Sequence, residues 1–297
     1  MEATREPEKG FIRRTSAFFY RHRGLRLAGT VGPPSAWIIF IYLIPLALLL
    51  VAAFWTLNVL TAQVEHTFTL SNFQNLFRDP VYKTITLRTL GMAVAVTVAD
   101  LLLAFPFAYY AARLATPRMR TVLLLAVVMP LWTNYLVRVF AWKTITAGNG
   151  PLNSFLSLLG LHLDLSASNW AVWLTFTYLW LPFVALPVYA SLERVPGSLL
   201  EASSDLGGRG WMTFRRVVLP LVLPGMVAGT IFSFGLTLGD YITPTLVGKD
   251  FFLGNAIYNF VGLARNLPQA AALAYIPLVI IAVYLLIARA LGAFEAL

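Results

Sequence analysis

The chain has 297 residues, of which 59% are apolar and 12% charged, with a mean hydropathy of +0.74 and a formal net charge of +9. Soluble domains hold roughly 45–50% apolar residues, so this composition excludes a soluble globular protein and points to an all-α, polytopic membrane protein. There is no cysteine, which removes disulfides, thiolate metal sites and cysteine nucleophiles, and His22, His66 and His162 stand apart from any metal-ligand spacing.

The first 35 residues are basic, with Arg5, Lys9, Arg13, Arg14, Arg21, Arg23 and Arg26 spread through a weakly apolar stretch. No short apolar core followed by small residues marks a cleaved targeting peptide. Phe11, Ile12, Phe18 and Phe19 alternate with the arginines, a pattern suited to a cytoplasmic amphipathic helix on an anionic membrane surface; a disordered basic tail is the alternative. Residues 36–297 are expected to form one membrane domain.

A spanning helix needs roughly 20 apolar residues. Six segments meet this, at about 36–57, 86–112, 120–142, 169–191, 217–243 and 271–292. Pro45, Pro106, Pro130, Pro182, Pro187, Pro220, Pro224 and Pro277 fall in them, so kinked helices are expected. With both termini in the cytoplasm, 15 of the 22 Lys and Arg fall on inner segments, the orientation the positive-inside rule favours.

The loop between the fourth and fifth segments, 192–218, is then cytoplasmic. Ser198 with Glu201 three residues later reads as a capping box that starts a short helix, and Gly207-Gly208 reads as its stop. Thr213 to Val218 restarts a helix that runs into the fifth span. A short exposed helix between two spans suits docking into a groove of a soluble partner.

This loop resembles the signature of bacterial ABC-importer permeases. Glu201-Ala202-Ser203, then Gly207, then Val217 and Leu219-Pro220 match the E-A-A, three residues, G, nine residues, I-x-L-P pattern, with Ser203 for Ala and Val217 for Ile. Further blocks are similar to the spermidine/putrescine group, specifically the first of its two paired membrane subunits. They are MPLWTNYLVRVFAWKTI (129–145), GNGPLNSFLSLLGL (148–161), LPFVALPVYASLERVP (181–196) and GDYITPTLVG (239–248). Permeases for opines, other amines, sulfate, iron or thiamine share parts of these blocks.

The resemblance implies a type I importer permease in the bacterial inner membrane with six transmembrane helices. It implies a coupling loop carried by Glu201, Ala202, Ser203, Asp205, Gly207 and Arg209. It also implies two cytoplasmic ATP-binding subunits, a second homologous permease and a periplasmic or lipoprotein solute-binding protein. ATP and magnesium would belong to the ATPase subunits, because this chain has no G-x-x-x-x-G-K-[ST] phosphate loop. Gly207-Gly208-Arg209-Gly210 follows no strand, and the positive charge lies on membrane flanks rather than on a nucleic-acid surface.

Charged groups inside spans mark pathways, partners or structural pairs. Asp100 and Asp240 are candidates for a path taken by an amine, with Trp132, Tyr135, Trp142, Trp180 and Tyr241 offering aromatic faces to a cation. The competing expectation is a structural ion pair of either aspartate with Arg138 or Arg88. An ion-driven carrier would also use kinked helices and buried aspartates but would not explain the loop signature. A membrane-embedded enzyme would want converging His, Asp or Glu, which this sequence lacks.

Overall fold

The computed structural model describes residues 23–58, 61–161 and 165–292. The expected amphipathic segment up to residue 22, together with His22 and His162, lies outside the described residues. The chain is almost entirely helical. Helix α1 (Arg23–Ile38) passes through a π turn at Ile39–Leu43 into α2 (Ile44–Ala52), and a small hairpin of β1 (Thr56–Asn58) and β2 (Gln63–Glu65) follows, pairing Leu57 with Val64. The first membrane segment therefore ends at Ala52, short of the expected residue 57, because Thr56–Asn58 is drawn into this hairpin. His66 packs there against Trp55, with ring centroids 4.2 Å apart.

Helix α3 (Ser71–Arg78) leads into α4 (Pro80–Tyr109), which is prolonged by a π turn at Tyr110–Leu114. The second span starts six residues earlier than its apolar stretch suggests because Asp79 caps it, accepting from Val81 N at 2.9 Å, with Pro80 at the first helical position. Helix α5 (Pro117–Val128) tightens into a 3-10 turn at Met129–Trp132, and α6 (Tyr135–Ile145) and α7 (Pro151–Leu158) follow. The third segment is thus not one kinked helix: its two halves meet at 100°. Thr133 is extended and its Oγ1 donates to Pro130 O at 2.7 Å, while Asn134 Oδ1 accepts from Leu136 N at 2.8 Å and starts a new helix.

Helix α8 (Asn169–Arg194) is the fourth span, and α9 (Gly197–Asp205) and α10 (Gly210–Thr213) form the polar turn after it. A π turn at Phe214–Val218 joins α10 to α11 (Leu219–Gly239), the fifth span; α12 (Ile242–Val247), α13 (Leu253–Gly262) and α14 (Leu267–Ala290) complete the chain. Among the described residues five continuous helices are long and apolar enough to cross a membrane, six when the bent pair is taken as one span.

Helices α4, α8 and α11 pack against one another as the centre of the bundle. Two of them are far more buried than the periphery: 61% of the α8 window and 50% of the α11 window, against 6% for the first span and 22% for α14, with α4 at 28% still half turned outward. Two features let the central helices approach. Ala104, Ala108, Ala111 and Ala112 present a small-residue face towards Val184, Val188 and Leu192. On α11, Gly225 and Gly229 form a G-x-x-x-G pair, and a Cβ on Gly229 would lie 3.1 Å from Val184 Cα. Lipid supplies little hydrophobic drive between spans, so this close backbone approach holds the pair through dispersion.

Candidate functional sites: a polar seam and an exposed turn

The seam lies where α11 ends. Asp240 is extended after the last turn of α11, and its Oδ1 accepts from Ile242 N at 2.7 Å and Thr243 N at 3.2 Å, capping α12. Its Oδ2 accepts from Thr243 Oγ1 at 3.1 Å and from the Tyr135 hydroxyl. Tyr135 is the first residue of α6, so the break at Thr133-Asn134 is what carries its ring to this point. The Tyr135 ring lies parallel to Trp180 of α8 at 6.1 Å. Tyr241 stacks on Tyr258 at 4.6 Å, and Trp142 meets Tyr178 at 5.4 Å. Trp132 is exposed beside the break.

Asp100 sits elsewhere. It is fully buried on α4, where Ser233 Oγ of α11 donates to its Oδ2 at 2.5 Å and its Oδ1 has no hydrogen-bond partner among the described residues. Ser233 lies seven residues before Asp240, about 10 Å along the helix, so the two aspartates occupy different levels.

Neither aspartate forms the expected ion pair. Arg88 precedes Asp100 by twelve residues, about 18 Å along α4, and its Nη1 lies 3.7 Å from Asp250 instead. Asp240 is saturated by hydroxyl and backbone donors, and Arg138 keeps Nε and Nη1 buried without a partner among the described residues. Sequence reasoning missed Ser233 and Thr243, whose hydroxyls donate to Asp100 and Asp240. Their signal was only positional, Thr243 three residues after Asp240 as in an Asx-type cap.

The second site is the turn at the other end. Arg113 Nη2 donates to Leu192 O and Val195 O, both at 2.5 Å, and so holds the end of α8. The expected Ser198–Glu201 capping box is absent: α9 starts at Gly197, Pro196 occupies the cap position, and no side chain caps it. The fixed dihedral of Pro196 supplies the entry, and Ser198 falls within the first turn. The stop is as read. Gly207 has φ +77°, Gly207 N bonds Ser204 O at 2.9 Å and Gly208 N bonds Ser203 O at 2.8 Å, a Schellman motif.

Ser203 and Thr213 hydroxyls meet at 2.8 Å and tie α9 to α10, which begins at Gly210, three residues before the expected restart. Glu201, Ala202, Asp205 and Arg209 are exposed, Leu206 is 90% exposed and Trp211 72%. A concavity of about 350 Å³ opens between Leu199, Ala202, Leu206, Met212 and Arg216. Among the described residues no group of three His, Asp or Glu is placed to hold a metal.

A bundle of apolar spans, with a polar seam at one end and a rigid, outward-facing turn at the other, has the build of a membrane permease. The family model described as binding-protein-dependent transport system inner membrane component matches residues 104–294. The inner membrane ABC transporter permease protein YdcU of Escherichia coli K12 is 43% identical over 312 residues, covering 100% of this chain and 99% of that one. The spermidine/putrescine transport system permease protein PotB of the same organism is 34% identical over 242 residues, covering 80% and 86%. In fold, the chain superposes with a TM-score of 0.70 and 16% identity on a bacterial ABC transporter chain involved in import of the acidic polysaccharide alginate, covering 94% of this chain and 98% of that one. The chain belongs to the binding-protein-dependent inner-membrane component family, and it is the multi-pass permease subunit of an ABC importer, without an ATPase site of its own.

Proposed function

We propose that this permease moves a small cationic solute, a polyamine of the spermidine/putrescine kind, from a periplasmic binding protein into the cytoplasm. The observation that carries this reading is the 34% identity with PotB over most of both chains. In this reading both termini are cytoplasmic, a second homologous permease completes the pathway, and two ATPase subunits hold ATP and magnesium. The turn of Glu201, Ala202, Ser203, Asp205, Gly207 and Arg209 enters a groove of one ATPase, with Leu206 and Trp211 as its apolar contacts.

The seam serves as the outer checkpoint of the path. Asp240, Tyr135 and Trp180 would present a carboxylate and two aromatic faces to an ammonium, with Tyr241, Trp142 and Trp132 at its margins and Asp100 further along. Asp240 already accepts four hydrogen bonds, so an amine would have to displace the Tyr135 hydroxyl or the Thr243 hydroxyl, which fits brief rather than tight binding. A second reading is favoured by Arg138, one turn after Tyr135, whose unpartnered guanidinium nitrogens suit the carboxylate of an opine.

The test is ATP hydrolysis by the complete importer in lipid nanodiscs with its binding protein, across putrescine, spermidine, opines and simple anions. Stimulation by polyamines supports the first reading, and stimulation by opines alone selects the second. Stimulation by simple anions alone removes both.

A further inference from the structure

Among the cavities that neither the seam nor the turn uses, one is walled by two indoles. Between α4 and α8 lies a slot of about 380 Å³, walled by Gly91, Met92 and Ala95 on one side and Trp170 and Trp173 on the other, with Asn169 at its edge. The two indoles meet edge-on at 6.0 Å, and Trp170 is 67% exposed. A Cβ added to Gly91 would meet nothing within 4 Å, so the slot is open where the helix backbone lines it.

The rim is charged with both signs. Asn169 Nδ2 donates to Asp250 Oδ2 at 2.8 Å, Asp250 Oδ1 lies 3.7 Å from Arg88 Nη1, and that nitrogen also donates to Phe251 O at 3.1 Å. Arg88 lies one helical turn from Gly91 and Met92, directly above the slot. The Arg88 and Asp250 side chains are 30% and 29% exposed, and Asn169 Oδ1 has no hydrogen-bond partner among the described residues.

We infer that this slot binds an aminophospholipid. Its walls offer almost no hydrogen-bonding group, so what fills it is hydrocarbon. Indoles settle at the membrane–water boundary, and the charged rim stands at the level of Trp170, where headgroups lie. Arg88 has further N–H groups free to meet a phosphate, as the planar guanidinium does well. Asp250, part exposed at the rim, is the acceptor for an ammonium. A molecule with a hydrocarbon tail, a phosphate and a primary ammonium satisfies all of these at once, whereas a choline headgroup has no N–H to donate and a glycerol headgroup has no cation.

The experiment uses the assembled importer in nanodiscs of equal phosphatidylethanolamine, phosphatidylcholine and phosphatidylglycerol, with retained lipids counted by native mass spectrometry after detergent extraction. Wild type should retain phosphatidylethanolamine about tenfold over the other two, the scale of one charge-assisted hydrogen bond. Gly91→Leu should abolish retention by filling the slot. Arg88→Gln and Asp250→Asn should remove the headgroup preference while leaving acyl binding, and these rim variants decide the matter should Gly91→Leu fail to insert. Equal retention of the three lipids by wild type overturns the proposal. So does loss of the second permease subunit from Gly91→Leu with lipid retention unchanged, which would make the slot a subunit interface.

Discussion

The turn at residues 197–218 and the seam around Asp240 are both polar breaks in an apolar chain, but they are ordered by opposite means. At the seam, one side chain makes the order: the Asp240 carboxylate takes the Tyr135 and Thr243 hydroxyls and the backbone N–H groups of Ile242 and Thr243. At the turn, the backbone makes the order, through Pro196 and the Schellman bonds at Gly207 and Gly208, and the side chains of Glu201, Leu206 and Trp211 are left outward. Self-satisfied polar groups suit a barrier that must close on itself. Backbone-ordered, unspent side chains suit a surface that another protein completes.

That contrast can be broken first at Gly207. Valine cannot adopt φ +77° without about 1–2 kcal/mol of strain, so Gly207→Val should lower uptake by about tenfold or more while the permease still inserts and its complex still assembles. Gly207→Asn, which tolerates the left-handed region, should recover most of it; equal losses in both would mean that glycine is needed for closeness to the partner and not for conformation. Next is Arg113→Ala, which removes the side-chain donor to both carbonyls and leaves Leu192 O with Val195 N alone. A loss of about 2 kcal/mol in thermal stability is expected, with the turn's exposure to protease increased.

A smaller effect is expected at the seam. Asp240→Asn keeps an acceptor for Ile242 N and Thr243 N but removes the charge, so amine uptake should fall about fivefold with assembly intact. Unchanged uptake kinetics would assign Asp240 to capping α12 alone. Smallest is Glu193→Ala. Its pair with Arg120 at 3.2 Å is half-exposed, and its loss should cost less than about 0.5 kcal/mol in a melting measurement.

Much of the fold was legible because apolar length and proline position are one-dimensional signals. The spans fell near their predicted places, and Gly207 was readable as a stop because a glycine pair after a short helix has few other uses. The start of α9 was misread because Ser198 and Glu201 have the right spacing for a capping box, but Pro196 already fixes the entry two residues earlier. The broken third segment was half visible, since Pro130 marks a kink whereas the cap at Asn134 shows only in the structure. The partners of Asp100 and Asp240 were hidden because they depend on which faces of α4, α6 and α11 meet. The Gly225-Gly229 spacing was available in the sequence and would have pointed to the close approach of α11 to α8.

The π turns at Ile39–Leu43, Tyr110–Leu114 and Phe214–Val218 each amount to one surplus residue carried within, or at the end of, a helix that spans the membrane. They are therefore the places where the chain can change length by a single residue without losing a helix. Deleting one residue within 214–218 would restore α-helical register, turning everything before it by about 100° about the α11 axis and drawing it in by about 1.5 Å. The exposed turn would keep its shape and chemistry and simply face another way. The direction in which Glu201 and Trp211 point is thus a matter of phase, written in one residue of the helix that follows them.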